Sequence, residues 1–150
     1  MNTGEENTGA GIQWEIDGVL ASSERPGFPN HTVPARVVDQ WLEGAGRQGI
    51  RSVINMLSEE EMAVYYRRLE QPLAEYYTDA GLEVRQVSHE DMGVIVTRSV
   101  LLDRVQAAFD NLPKPVIIHC SAGAERSKLA VEALCKAWKL RGKKRRRSQR

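Results

Sequence analysis

The run His119-Cys120-Ser121-Ala122-Gly123-Ala124-Glu125-Arg126-Ser127 follows three β-branched residues, Val116-Ile117-Ile118, and precedes a segment with helical periodicity that reaches Leu140. A strand that feeds a loop of small residues and then a helix N-terminus is an anion site: loop amides converge, and the helix dipole adds positive potential. Ser121, Ala122, Gly123 and Ala124 leave such a concavity open. Arg126 is spaced to grip two oxygens of a phosphate with its guanidinium fork. Cys120 lies at the base, where the same field favours the thiolate, the nucleophilic form of the side chain. Ser127 can hydrogen-bond that sulfur and ease its departure from an intermediate. His119 is read as orienting the loop through its ring nitrogens rather than as a base. The chemistry open to this set is nucleophilic attack on a bound phosphoryl group.

Plainer readings stand beside that one. A cysteine after a strand is commonly a small core hydrophobe, but His119, Gly123, Arg126 and Ser127 in register make a far more specific pattern. A loop that binds phosphate without turnover would keep the same residues. Cys135 falls in the stripe Val131, Leu134, Cys135, Trp138, so it is expected in the core rather than as a redox partner. His31 and His89 have no metal-ligand spacing around them, and no metal or cofactor is assigned. Tyr65-Tyr66 and Tyr76-Tyr77 are assigned to packing. Arg25, before Pro26, is expected at the pocket rim or in solvent.

The elements that must position the loop can be read outward from it. Ile12, Trp14 and Ile16 alternate with polar residues, Asp17-Gly18 supplies a tight turn, and Val19-Leu20 starts a return strand. Ser22 to Pro34 reads as loop. Thr32 is placed to cap a helix with the stripe Val37, Val38, Trp41, Leu42, ended by Gly44, Gly46 and Gly49. Ser52 to Leu57 is too short for a helix and reads as a buried strand. Ser58 with Glu61 forms a capping box, opening one helix that continues through Met62, Tyr65, Leu69 and Leu73 to Tyr76, bent at Pro72. Leu82 to Val87 is a strand, Ser88-His89-Glu90-Asp91 a polar turn, and Leu101, Leu102, Val105 and Phe109 mark another helix. Alternating strands and helices predict an α/β sandwich around one mainly parallel sheet.

A chain of 150 residues, 41% hydrophobic and 27% charged, suits a single domain that buries roughly 70% of its unfolded surface. Two cysteines exclude a disulfide framework. No apolar run approaches the roughly 18 residues of a membrane span. The polar start is unlike a signal peptide, so a cytoplasmic setting is the expectation, or a nuclear one if the host has a nucleus. The net charge of +1 hides a segregation. Eight of the 21 basic residues lie between Lys139 and Arg150 with no acid among them, leaving 13 basic against 20 acidic residues, about −7, in the rest. The chain therefore divides into a disordered lead-in (1–11), a globular domain (12–141) and a solvated basic tail (142–150). Such a tail attracts polyanions, RNA or an anionic surface, at low salt.

At this point the chain resembles the cysteine-based protein tyrosine phosphatases, specifically their small dual-specificity branch. The signature of His-Cys, five residues, Arg and Ser is complete in His119 to Ser127. Weaker likeness runs from Ile12 to Arg141 through the hairpin, the "RSVINML" strand before a Glu-rich helix, and an acidic loop about thirty residues before the cysteine. Rhodanese-like sulfurtransferases and some arsenate reductases share a Cys-to-Arg loop, but the leading His119 and trailing Ser127 fit phosphatases better. The resemblance implies a single-domain phosphatase-like α/β fold and a metal-independent, two-step hydrolysis through phosphocysteine. Loop residues Ser121 to Arg126 would bind phosphate. Asp91 would be the general acid, ahead of Glu90 and of Asp103, which lies in a predicted helix. The implied substrate is a phosphoprotein acted on by a monomer; the alternatives are an RNA 5′-phosphatase guided by the tail and a non-catalytic phosphate-binding module. Lys128 and Glu125 depart from the pattern, since many relatives have a small residue after the serine and Glu125 sets a carboxylate beside Arg126.

Overall fold

A computed structural model describes residues 11–91, 94–121 and 125–148, with the side chains of Asp91 and Glu125 left out. Residues 1–10 of the expected lead-in (1–11), the loop residues Ala122, Gly123 and Ala124, and residues 149–150 lie outside the described residues. Among the described residues, five helices flank a sheet of five strands in the order β1-β2-β7-β3-β4, and a two-stranded ribbon β5-β6 stands apart. The strands are β1 (Gln13–Ile16), β2 (Leu20–Glu24), β3 (Ser52–Asn55), β4 (Glu83–Gln86), β5 (Glu90–Asp91), β6 (Val94–Ile95) and β7 (Val116–Cys120). The helices are α1 (Ala35–Arg47), α2 (Glu59–Tyr65), α3 (Leu73–Asp79), α4 (Arg98–Asn111) and α5 (Glu125–Ser148). Only the β1–β2 hairpin in the larger sheet is antiparallel, turning at Gly18 with φ of 71°. The single-domain, mainly parallel α/β sandwich expected from the sequence is the architecture found.

β7 is central and buried along its whole length, as a strand covered on both faces must be. Its side chains alternate between two cores. Val116, Ile118 and Cys120 join Leu20 and Ile54 against Leu101, Val105 and Phe109 of α4 and Ala130 and Leu134 of α5. Ile117 joins Ala21 and Val53 against Val38 of α1, Leu73 and Tyr77 of α3, and Tyr66. His119 points to the second side, meeting the rings of Trp41 and Tyr77 edge-on. Residues 119 and 120 therefore serve opposite faces of one sheet. In register, Glu24 pairs with Cys120 and Asn55 with His119, so three parallel strands end together at the carboxyl edge where α/β folds bind ligands.

Local expectations need four corrections. β2 continues to Glu24 rather than yielding to loop at Ser22. α1 starts behind Pro34 with no side-chain cap, so Thr32 does not cap it, and it runs past Gly44 and Gly46. Gly44 and Ala45 are buried there, and the chain turns at Gly49, φ 78°. The helix expected from Ser58 to Tyr76 is two helices: α2 ends at Tyr65, and Pro72, which has no N–H to join a preceding ladder, stands at the N-cap of α3. Finally, α5 does not stop near Leu140; it passes through the basic run to Ser148.

Candidate active site

Cys120 ends β7 and is buried, with its Sγ 3.2 Å from Ser127 Oγ in the first turn of α5. As a thiol the sulfur donates to that oxygen; as a thiolate it accepts from the hydroxyl. One strand end and one helix start thus bring together two residues seven apart in sequence.

Arg126 is held from several sides. Its Nη1 and Nη2 donate to Glu61 Oε1 and Oε2 at 2.9 and 3.0 Å, a bidentate pair. Nη1 also donates to the Met56 carbonyl at 3.2 Å, just past β3. Glu61 is in turn fixed by the capping box of α2, accepting from the Ser58 N–H at 2.9 Å while its own N–H donates to Ser58 Oγ at 3.1 Å. Partial burial works to raise the Glu61 pKa, but the Arg126 and Ser58 donors outweigh it and hold the carboxyl at about 2. The guanidinium, in return, is held more firmly charged by that carboxylate.

A further contact ties Arg126 to the turn after β4. His89 Nδ1 lies 3.1 Å from Nη1. Arginine can only donate, so Nδ1 accepts and the ring proton is assigned to Nε2, which faces Glu90 Oε1 at 3.4 Å. Asp91 follows in β5, paired with Val94; its side chain lies outside the described residues. Asp103 sits exposed on α4.

Behind the loop, His119 is fully buried and shares a 2.8 Å hydrogen bond from Nε2 to the Tyr77 hydroxyl. Burial drives its pKa down to about 3 against a weaker opposing pull from the Cys120 backbone, and the nearby Arg25 charge adds to the lowering. The ring is therefore neutral at ordinary pH, as a positioning group would be. Arg25 departs from its expected place: it is 3% exposed, stacked 3.8 Å over the Tyr65 ring, with Nη2 donating to the Asn30 carbonyl at 2.6 Å. Among the described residues its Nε and Nη1 are buried with no hydrogen-bond partner. Cys135 is part-buried against the first core, and burial raises its pKa.

The structure thus gathers Cys120, Ser127 and Arg126 at one edge, with His119 beneath. Ser121 directly follows the cysteine; Ala122, Gly123, Ala124 and the Glu125 side chain lie outside the described residues. Sequence reasoning missed Glu61, His89 and the buried Arg25. The Glu61 signal was absorbed by its cap role, and His89 was weighed only as a metal ligand. Among the described residues no group of three or more His, Cys, Asp or Glu is arranged around a metal position, and no helix is long and apolar enough to cross a membrane.

This architecture is the fold of the cysteine-based protein tyrosine phosphatases. The core catalytic domain of the PP-IP phosphatase SIW14 from S. cerevisiae superposes with a TM-score of 0.54 at 17% identity, covering 85% of this chain and 66% of that one. PTPMT1 in complex with PI(5)P gives 0.50 at 17% identity, over 84% of this chain and 82% of that one. A mutant form of Tk-PTP gives 0.50 at 19%, over 79% and 66%. The chain thus spans about two thirds of the SIW14 and Tk-PTP structures. No protein-family model matches it, and no curated protein does.

Proposed function

We propose that the chain is a cysteine-dependent, metal-independent phosphomonoester hydrolase. The observation that carries this reading is the 3.2 Å contact between Cys120 Sγ and Ser127 Oγ beside an Arg126 locked by Glu61. In the first step the sulfur attacks phosphorus and the ester oxygen leaves with a proton, giving phosphocysteine. In the second, water attacks phosphorus and the sulfur leaves, its developing charge met by the Ser127 hydroxyl. Arg126 and the amides of loop 121–126 stabilise the equatorial oxygens in both steps. Asp91 is the proposed acid for the leaving oxygen, with Glu90 as the alternative. Phosphotyrosyl and phosphothreonyl proteins are the substrates to test first. The neighbours described as a PP-IP phosphatase and as a PI(5)P complex support adding an inositol pyrophosphate and a phosphoinositide to the panel.

The deciding experiment is hydrolysis of para-nitrophenyl phosphate in EDTA. Cys120→Ser is expected to lose more than about 10³-fold in kcat, and acid quenching of the wild type should trap phosphate on sulfur. Equal rates in the two proteins would end the catalytic claim and leave a phosphate-binding module. Asp91→Asn should cost about 10²-fold or more on substrates with poor leaving groups, and no loss there moves the acid to Glu90. A second reading, an RNA 5′-phosphatase, draws support from the basic turns of α5 and requires activity on 5′-triphosphate RNA that weakens steeply with salt.

A further inference from the structure

Arg126 brings one positive charge to the site, and the bidentate Glu61 carboxylate offsets it. A dianion held by an otherwise acidic body needs positive potential from a further source. Arg25 carries such a charge. It is almost fully buried, with Nη2 donating to the Asn30 carbonyl. Among the described residues its Nε and Nη1 have no partner, and no carboxylate pairs with it. A guanidinium cannot escape that cost by losing its proton, and an ionised group buried without a counter-charge is expensive.

Strand pairing fixes where the charge lies. β2 runs parallel to β7 with Ser23 beside His119 and Glu24 beside Cys120, so Arg25 is the next step along, at the level where the loop begins with Ser121. Its guanidinium lies over Tyr65 and near Tyr66 and Phe28. Its charge is felt by His119, directly before the cysteine. Tyr65 in turn lies within electrostatic reach of Arg126. The buried cation therefore stands behind the carboxyl edge that carries Cys120. Aromatic faces attract a cation without neutralising it. If the residue served packing alone, an apolar side chain would fill the same place among three rings with no charge to bury.

We infer that Arg25 is the uncompensated positive charge of the phosphate site, an electrostatic positioning residue that draws the phosphoryl dianion to the 120–126 loop through its field rather than by contact. From a buried place that field is little screened by salt. The arrangement puts stability at a disadvantage in favour of function, as local conflicts at sites commonly do. The inference rests on reading residues 120 to 126 as a phosphate cradle, and it names how that cradle captures its ligand.

Calorimetric titration tests it with the full-length chain carrying Cys120→Ser, in EDTA at mildly alkaline pH. The probes are methyl phosphate, a dianion there, and methyl sulfate, a monoanion of the same shape. A field acts in proportion to ligand charge. Adding Arg25→Met should therefore weaken methyl phosphate at least about tenfold and methyl sulfate by only about threefold, the square root of that loss. Should methionine prevent folding, Arg25→Gln supplies the neutral side chain while its amide can still donate to the Asn30 carbonyl, and the same pair of losses is expected. Unchanged affinity for methyl phosphate, or equal losses for the two anions, overturns the field and leaves Arg25 as a clamp of the turn at 25–30, with the phosphatase reading intact. A parent protein that binds neither anion overturns the cradle itself.

Discussion

The carboxylate of Glu61 closes the first turn of α2 and grips the fork of Arg126 at once. Because its folded pKa is about 2 against an ordinary 4.5, its stabilising effect is fully present above about pH 4.5 and is lost as pH falls toward 2. Glu61→Gln should therefore lower stability by about 1–2 kcal/mol at pH 7 and flatten the acid limb of a stability–pH profile measured by urea denaturation. It should also cut kcat/KM on an aryl phosphate by about tenfold or more, because Arg126 loses its aim. The cap was legible from Ser58 and Glu61 three residues apart. The pairing was not: it joins residues 65 apart, and a side chain already satisfied by a local motif gives no sign of a distant partner. Arg25 was illegible for a related reason, since nothing in Glu24-Arg25-Pro26 announces that Tyr65 and Tyr66 will close over a guanidinium.

Among the elements, β3, β7 and the β1–β2 hairpin could be read from apolar runs and an Asp-Gly turn, because those signals are local and unopposed. The β5-β6 ribbon could not, since two-residue strands carry no periodicity. The basic end of α5 looked like a solvated tail because like charges repel, yet Lys and Arg are good helix formers and the lone Gly142 does not break the rod. One tie helps: Arg141 Nη1 and Nη2 donate to both carboxylate oxygens of Asp110 on α4, at 2.8 and 3.0 Å, and Asp110 is held below its usual pKa chiefly by that bond. An exposed pair of this kind is worth only about 0.2–1 kcal/mol, so Asp110→Asn should leave the melting temperature nearly unchanged. Amide exchange at residues 143–148 should nonetheless quicken severalfold, and unaltered exchange there would show that the far turns hold without the tie.

At the scale of the whole molecule, the body and the basic turns carry opposite charge, so capture of the proposed phosphomonoester dianion would rest on fields close to the loop. Deleting residues 142–150 should abolish retention on heparin at low salt while changing kcat/KM on an aryl phosphate by less than about twofold, since screening confines the tail's field to about 10 Å. A large loss of aryl phosphate activity would instead tie the tail to the chemistry. The continuity of α5 from Glu125 to Ser148 also fixes a length. At about 1.5 Å per residue, Lys143 to Arg147 stand about 30 Å along the rod from the loop, whereas a flexible tail would sweep a wide volume. A polymer docked on those turns is measured out as if by a ruler: only a chain long enough to span the interval gains effective concentration at Cys120, and a shorter one is held out of reach.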